Sequence, residues 1–392
     1  MRRVLSFSYC FPNVRRPTWG IFVRQRLAAL ARRIVLEVVA PAPFFPFWTR
    51  GRGQAPERLE DQEGLRVHHP RFFYVPGILK NQDARFYRWG LRRWVGKLCA
   101  SFQPDLLDAH FVWPDGVAVA GLARELGLPY VITLRGKIYP CVEVPSQRRQ
   151  CARALVNADA VISVSDPMAE LACELGVRRE RMHVIPNGVD TERFRPRERY
   201  EARRLLGLGC DGPLIVAIGH LKPTKGHSEL VRAVASVPQK PRLVIIGAQA
   251  DCRGYEEALR KEIAALGLAG RVVLAGPQPY DRIPVYLAAA DVSVLASYRE
   301  GCPNVVLESL ACGPPVVATR VGAVPRLVED GGNGRIVPPR DAGALAEAIQ
   351  DVLQRSWSAE ALRNSPSVKT WDTVAGEVLS VFEGVWQERA RC

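Results

Sequence analysis

Short apolar runs rich in β-branched residues alternate along the chain with longer stretches whose apolar positions recur every three to four residues. The first kind of pattern predicts buried strands at 4–7, 34–39, 106–109, 130–133, 160–163 and 183–185. The second predicts helices between them, at 21–31, 116–126 and 167–175. After Asn187 the alternation starts again, with strands at 214–218, 243–246, 272–274, 292–295 and 316–318. Helices are predicted at 228–236, 255–266, 284–289, 305–311 and 342–353. Strand–helix alternation of this kind builds parallel sheets covered by helices on both faces. Its occurrence twice predicts an α/β protein of two Rossmann-like, doubly wound domains. The turn-rich stretch Pro186-Asn187-Gly188-Val189-Asp190 marks the hinge. The expected division is 1–190, 191–367 and a helical tail, 368–392, that packs back on the first domain.

Length and composition agree with this reading. The chain has 392 residues, 47% of them hydrophobic and 24% charged, which suits two globular domains. No apolar run approaches the ~20 residues that span a bilayer. Arg2 and Arg3 precede an apolar stretch, but serines interrupt it and Pro12 stops it, so it reads as a first buried strand rather than a signal peptide. The ten cysteines form no Cys-x-x-Cys pair and no cluster with histidine, as expected of reduced, mostly buried thiols in a cytoplasmic protein.

Charge changes the picture. Residues 1–190 hold 28 Lys and Arg against 17 Asp and Glu, whereas the rest of the chain is nearly neutral. The densest stretch, 71–97, carries Arg71, Lys80, Arg85, Arg88, Arg92, Arg93 and Lys97 against Asp83 alone. Aromatic residues interleave with them, and from Asp83 to Ala100 the spacing suits a helix with an apolar and a cationic face. Such a helix suits an anionic membrane surface; a solvated arginine face over a packed stripe is the plainer alternative. Phe44-Phe45-Pro46-Phe47-Trp48 is a second candidate for contact. No nucleic-acid module is evident, so nucleic acid is not an expected partner.

In open parallel sheets ligands sit beyond the carboxyl ends of the strands. There the sequence places Glu300, Cys302, Pro303 and Asn304 in a strand–loop–helix turn, with Glu308 about one turn into the helix. Helix N-termini bind phosphate, and carboxylates accept paired hydrogen bonds from vicinal hydroxyls. His110 follows another strand and is expected to face the same crevice, where it would orient a ligand or serve only the fold.

Glu300 to Glu308, with the Leu-Glu-Ser-Leu-Ala-Cys-Gly-Pro-Pro-Val-Val-Ala-Thr that surrounds Glu308, resembles the Glu-x7-Glu motif of glycosyltransferase family 4, retaining enzymes of the GT-B fold. Other matches fall in order: Ile185–Asp190 with Phe194, Ile218-Gly219-His220-Leu221-Lys222-Pro223-Thr224-Lys225-Gly226, Gly331–Gly334 and Pro338–Asp341. Gly20-Ile21-Phe22-Val23 is similar to the glycine loop of a subgroup making surface polysaccharides. The resemblance implies a transferase using a nucleotide diphosphate sugar, UDP-linked, with a glycan or lipid-linked acceptor and retention of configuration. It implies that Glu308 holds the ribose and Glu300 the transferred sugar. Lys225, Gly219 and His220, with backbone donors at Cys302–Asn304, would hold the diphosphate, and Gly20 would let backbone approach it. Arg135 stands where the family often has histidine near the reacting sugar, His220 where arginine is usual, and Arg326 where glutamate is more frequent. Those departures leave open a non-catalytic subunit; an epimerase or hydrolase on the same fold is a further alternative. The chain has no Asp-x-Asp triplet, so no metal or other cofactor is expected, with Lys225 and helix dipoles in place of a cation.

Overall fold

The computed structural model describes residues 1–44, 58–75, 77–250 and 252–391; positions 45–48 of the aromatic segment lie outside them. The chain forms two compact units, Met1–Asn187 with Trp371–Cys392, and Gly188–Thr370. The expected boundaries lay three residues away on each side. The difference is local: Val189 N–H donates to Lys369 O (2.9 Å) within the second unit, while Asn187 is held by Arg135 within the first.

In the first unit the strands are β1 (Arg3–Phe7), β2 (Val35–Val39), β3 (Ala42–Phe44), β4 (Leu59–Gln62), β5 (Leu65–His68), β6 (Arg71–Phe73), β7 (Leu106–His110), β8 (Tyr130–Leu134), β9 (Ala160–Ser163) and β10 (Met182–Val184). Eight of them make one sheet in the order β10-β9-β8-β7-β1-β2-β5-β4, parallel except for β4. β3 and β6 pair separately. The central strands are buried on both faces, as helices covering each side of a parallel sheet require. The helix Trp371–Arg391 belongs to this unit. Its Val374, Val378, Phe382 and Trp386 join Val23, Leu27 and Leu30 of the helix Ile21–Ala31 in one core.

The second unit has β11 (Leu214–Ile218), β12 (Arg242–Ile246), β13 (Val272–Gly276), β14 (Val292–Leu295), β15 (Val316–Thr319) and β16 (Gly334–Val337), all parallel, in the order β13-β12-β11-β14-β15-β16. This is the 3-2-1-4-5-6 order of a dinucleotide-binding fold. The direction of winding reverses between β11 and β14, and in the first unit between β1 and β7. Each switch point leaves a crevice at the strand ends of its own sheet.

Some sequence expectations change. Phe72 and Tyr87, two of the aromatic residues interleaved with the basic ones, are buried, and Arg71–Phe73 form β6 ahead of the basic helix. Arg88 is not a free surface cation: it lies over Gly121 and pairs with Glu125, which also takes Arg92 (2.8 Å). The thiols are less buried than expected. Cys10, Cys141, Cys151 and Cys312 are buried, four others are half-buried, and Cys210 is exposed.

Candidate active site

At the switch point of the second unit, β11 ends at Ile218 and runs into Gly219, His220 and a tight turn, Pro223–Lys225. Gly226 closes that turn with a left-handed backbone (φ 63°), and a Cβ there would lie 2.0 Å from Ala296 O. Only glycine therefore lets this loop pass against the end of β14. The loop is braced from behind by His227, buried at the start of the helix His227–Ser236, whose Nε2–H donates to His220 O (3.2 Å). Burial pulls the His227 imidazole down to about 4, so it is neutral at physiological pH.

Opposite this loop, β14 leads into 296–303. Tyr298 N–H donates to Thr224 O (2.9 Å), Thr319 Oγ1 to Ser297 O (2.5 Å) and Ala323 N–H to Gly301 O (2.8 Å). Tyr298 also gives its hydroxyl to Glu229 (2.6 Å) beneath the Arg340 guanidinium (4.8 Å from the ring). A loop tied at so many points presents Glu300 in one place. Glu300 Oε1 accepts from Lys225 Nζ at 2.5 Å, and both side chains are mostly buried. Gly219 lies under the Lys225 methylenes, whereas the His220 side chain is exposed. The helix Asn304–Cys312 begins after Pro303, and its first amides have no intrahelical acceptor. Glu308 is half-buried and makes no hydrogen bond or ion pair among the described residues; burial pushes its carboxyl up to about 7. Arg326 lies on a short helix, Val324–Leu327.

The first unit brings together residues that the sequence does not link. Ser6 on β1 and Asp108 on β7 are register partners across the switch point, and Ser6 Oγ donates to Asp108 Oδ2 (2.7 Å). The same oxygen lies 3.0 Å from His110 Nε2, and His110 Nδ1 lies 3.4 Å from an Arg135 Nη2 donor. The ring is therefore the Nε2–H tautomer, donating to Asp108 and accepting from Arg135. His110 is expected to open on a crevice; instead it is 0% exposed with both nitrogens engaged. Burial first, and then the neighbouring Arg26 and Arg135 cations, outweigh Asp108 and hold the imidazole near 4. Arg135 is also almost buried. It donates to Asn187 Oδ1 (2.9 Å) and lies 4.7 Å over the Phe22 ring.

Gly20 caps the helix carrying Phe22 (φ 77°), and a Cβ there would meet Cys10 O at 2.2 Å. The chain's own carbonyl thus requires this glycine, whatever else approaches it. Arg26 is 2% exposed, with Nε and Nη2 unpartnered among the described residues and Asp108 as its electrostatic counterpart. Asp115, also buried, accepts from Tyr9 N–H (2.5 Å) and Tyr87 OH (3.2 Å); burial raises it to about 7. Sequence reasoning missed Arg26, Asp108, Asp115, Asn187 and His227. Asp108 alone had a signal, the alternation within β7 that puts it on the same face as His110.

Two doubly wound units with charged groups at their switch points are an architecture that hosts many chemistries, and comparison with known proteins gives the class. The protein of Anabaena Alr3699/HepE, solved in complex with UDP, superposes with a TM-score of 0.75 over 100% of both chains, at 22% identity, a likeness that shows the GT-B fold. Residues 20–193 match the family described as Glycosyltransferase Family 4, and 199–366 the one described as Glycosyl transferases group 1. TuaC of Bacillus subtilis, a glycosyltransferase named for teichuronic acid biosynthesis, is 32% identical over 88% of each chain. The D-inositol 3-phosphate glycosyltransferase of Acidothermus cellulolyticus is 32% identical over 73% of this chain and 68% of its own. The chain belongs to glycosyltransferase family 4 and is a glycosyltransferase.

Proposed function

We propose that this enzyme transfers a sugar from a UDP-sugar to a glycan or lipid-linked acceptor, with retention and without a metal ion. The observation that carries the reading is the Lys225–Glu300 pair at the β11/β14 switch point, with Glu308, unpartnered among the described residues, on the helix that follows Glu300. In the free protein Lys225 and Glu300 neutralise each other. Donor binding moves the Lys225 ammonium to the diphosphate and frees Glu300 for hydroxyls of the transferred sugar. Glu308 takes the ribose diol, and the amides at 302–304 add donors to the phosphates, with Gly219 and His220 flanking them. These contacts strengthen as the bond from C1 to the phosphate oxygen breaks and charge builds on the leaving diphosphate. The acceptor hydroxyl attacks C1 on the face the diphosphate leaves, and its proton passes to the departing phosphate oxygen. Supporting a metal-independent site is the ammonium already at the place where the charge develops. UDP as the carrier follows the UDP-bound Anabaena neighbour, and a glycan acceptor follows the name of the Bacillus subtilis relative.

The first unit is the acceptor side in this reading. Arg135, held by His110 and Asn187, stands at the position where the family often places a histidine near the reacting sugar. On the helix Asp83–Phe102, Trp89 is 75% exposed among Arg92, Arg93 and Lys97. This convex face suits peripheral binding to an anionic membrane from the cytoplasmic side. Among the described residues no helix is long and apolar enough to cross a membrane.

Thermal shift with UDP-, GDP- and ADP-sugars, followed by turnover with and without EDTA, tests the donor side. Stabilisation by UDP-sugars and EDTA-insensitive turnover to an axial or equatorial product matching the donor are expected. No stabilisation by any nucleotide overturns it.

A further inference from the structure

Two confluent cavities, of about 770 and 350 Å³, run between the helices Asp83–Phe102 and Pro145–Val156 and over the helix Val117–Leu126. They share Arg85, Gln150 and Arg153. Six arginines line them: Arg85, Arg88, Arg124, Arg149, Arg153 and Arg389; no carboxylate does. Arg88 is paired with Glu125 and Arg389 with Asp159, but Arg124, Arg149 and Arg153 make no ion pair among the described residues, and Arg85 bonds only the neutral Gln82. The floor is apolar and small, with Val117, Ala120 and Ala154; at its side Gln150 and Asn157 have their amide nitrogens bonded to backbone carbonyls, which leaves their amide oxygens to accept from hydroxyls. None of this belongs to the switch-point sites.

We infer that this groove binds an anionic glycan, a sugar chain carrying carboxylate or phosphate groups. The inference rests on the glycan-acceptor reading above and names the chemistry of that acceptor. Each component of the groove has a counterpart in such a chain. Guanidinium forks pair with carboxylate or phosphate in planar, two-bond geometry. The C–H faces of sugar rings pack on a floor of small apolar side chains, and their hydroxyls meet the amides. The floor follows the ten-residue helix Val117–Leu126, which rises about 15 Å, enough for several rings.

Shape selects against the other polyanions. A bilayer would meet these exposed guanidinium groups but leave the small apolar floor between them without a partner, and the exposed Trp89 face suits it better. Single-stranded nucleic acid is held by exposed aromatic rings, and the one aromatic side chain here, Tyr130, is buried with its hydroxyl donating to Ala154 O (2.8 Å).

The test is titration calorimetry of the whole protein with an oligogalacturonate hexamer, with maltohexaose as the neutral counterpart and anionic phospholipid vesicles as a further arm. The groove variant is Arg85→Gln/Arg149→Gln/Arg153→Gln, and the control on the convex face is Arg93→Gln/Lys97→Gln. The acidic hexamer is expected to bind, to weaken by about tenfold or more in the groove variant, and to be unchanged in the control. Equal weakening in both variants, equal binding of maltohexaose, or no binding of the acidic hexamer overturns the inference. So does loss of vesicle binding in the groove variant with hexamer binding intact. UDP thermal shift is read on the same samples: it is expected to persist in both variants. Its absence from the wild type counts against the donor reading alone, while the hexamer still decides the groove.

Discussion

Lys225 Nζ lies 2.5 Å from Glu300 Oε1, although 75 residues separate the two in sequence. The pair joins the loop after β11 to the loop after β14, and each partner holds the other in the absence of donor. Removing one should therefore affect different steps. Lys225→Met is expected to weaken UDP binding by about 10- to 100-fold, the worth of one charge-assisted contact. Glu300→Gln frees the ammonium for phosphate, so UDP affinity should hold or rise while turnover falls by about 100-fold. Calorimetry and steady-state rates separate the two; parallel losses in both variants would contradict the assignment.

Glu308 carries the proton at which nucleotide binding should be pH-dependent. Burial raises its carboxyl to about 7, and a carboxylate is the form that accepts from both ribose hydroxyls. UDP affinity should therefore rise as pH increases through 7. In Glu308→Gln that dependence should vanish, and Glu308→Ala should weaken binding by about tenfold or more. A pH-independent affinity in the wild type would remove Glu308 from the ribose site.

Asp108 is the anion on which the buried cation Arg26 depends. Asp108→Asn keeps the size and one acceptor but leaves Arg26 without a counter-charge. A loss of about 3–5 kcal/mol of stability is expected in denaturant unfolding of the first unit. Arg26→Met added to Asp108→Asn should restore part of it, a coupling that two independent sites would not show.

Asp115 sets a slope on the neutral side. Its folded value, about 7, stands above its ordinary 3.8 because of burial, so the folded protein holds the proton that the unfolded chain has released. Its stabilisation is full below about pH 4 and is lost as pH rises through 7. His110 and His227, lowered from 6.5 to about 4, act with the opposite sign but are spent by pH 6.5. Glu308 falls in the same window as Asp115. Between pH 6.5 and about 8 the unfolding midpoint should decline, less so in Asp115→Asn, and least when Glu308→Gln is added.

Strands buried on both faces were legible in the sequence, because a parallel sheet demands unbroken apolar runs. β11 and β14 lie where the pattern puts them, and most other strands within a residue or two. β4, β5 and β16 were not legible, since Leu59–Gln62 alternates with charged residues and Gly334–Val337 opens on a glycine. The helices Ile138–Glu143 and Pro145–Val156 were hidden by prolines, one of which sits at the first helical position, where it is tolerated. At the site, the Glu-x7-Glu spacing located Glu300 and Glu308. What it could not supply was pairing. That Lys225 meets Glu300, that Arg135 reaches His110, and that Arg88 is spoken for by Glu125 depend on contacts between distant segments.

The helix Trp371–Arg391 completes the core of the first unit, yet it is made only after the whole of the second unit. A ribosome that has finished residues 1–187 has produced a sheet whose outer helix, Ile21–Ala31, still shows Val23, Leu27 and Leu30 to water. The second unit, continuous from 188 to 370, can close while translation proceeds. Birth order is thus inverted relative to the usual N-terminal-first sequence: the later-encoded unit is finished before the earlier one. Until Trp371–Arg391 has emerged, the nascent protein keeps an apolar groove that this helix must find, which makes it a natural point for chaperone shelter.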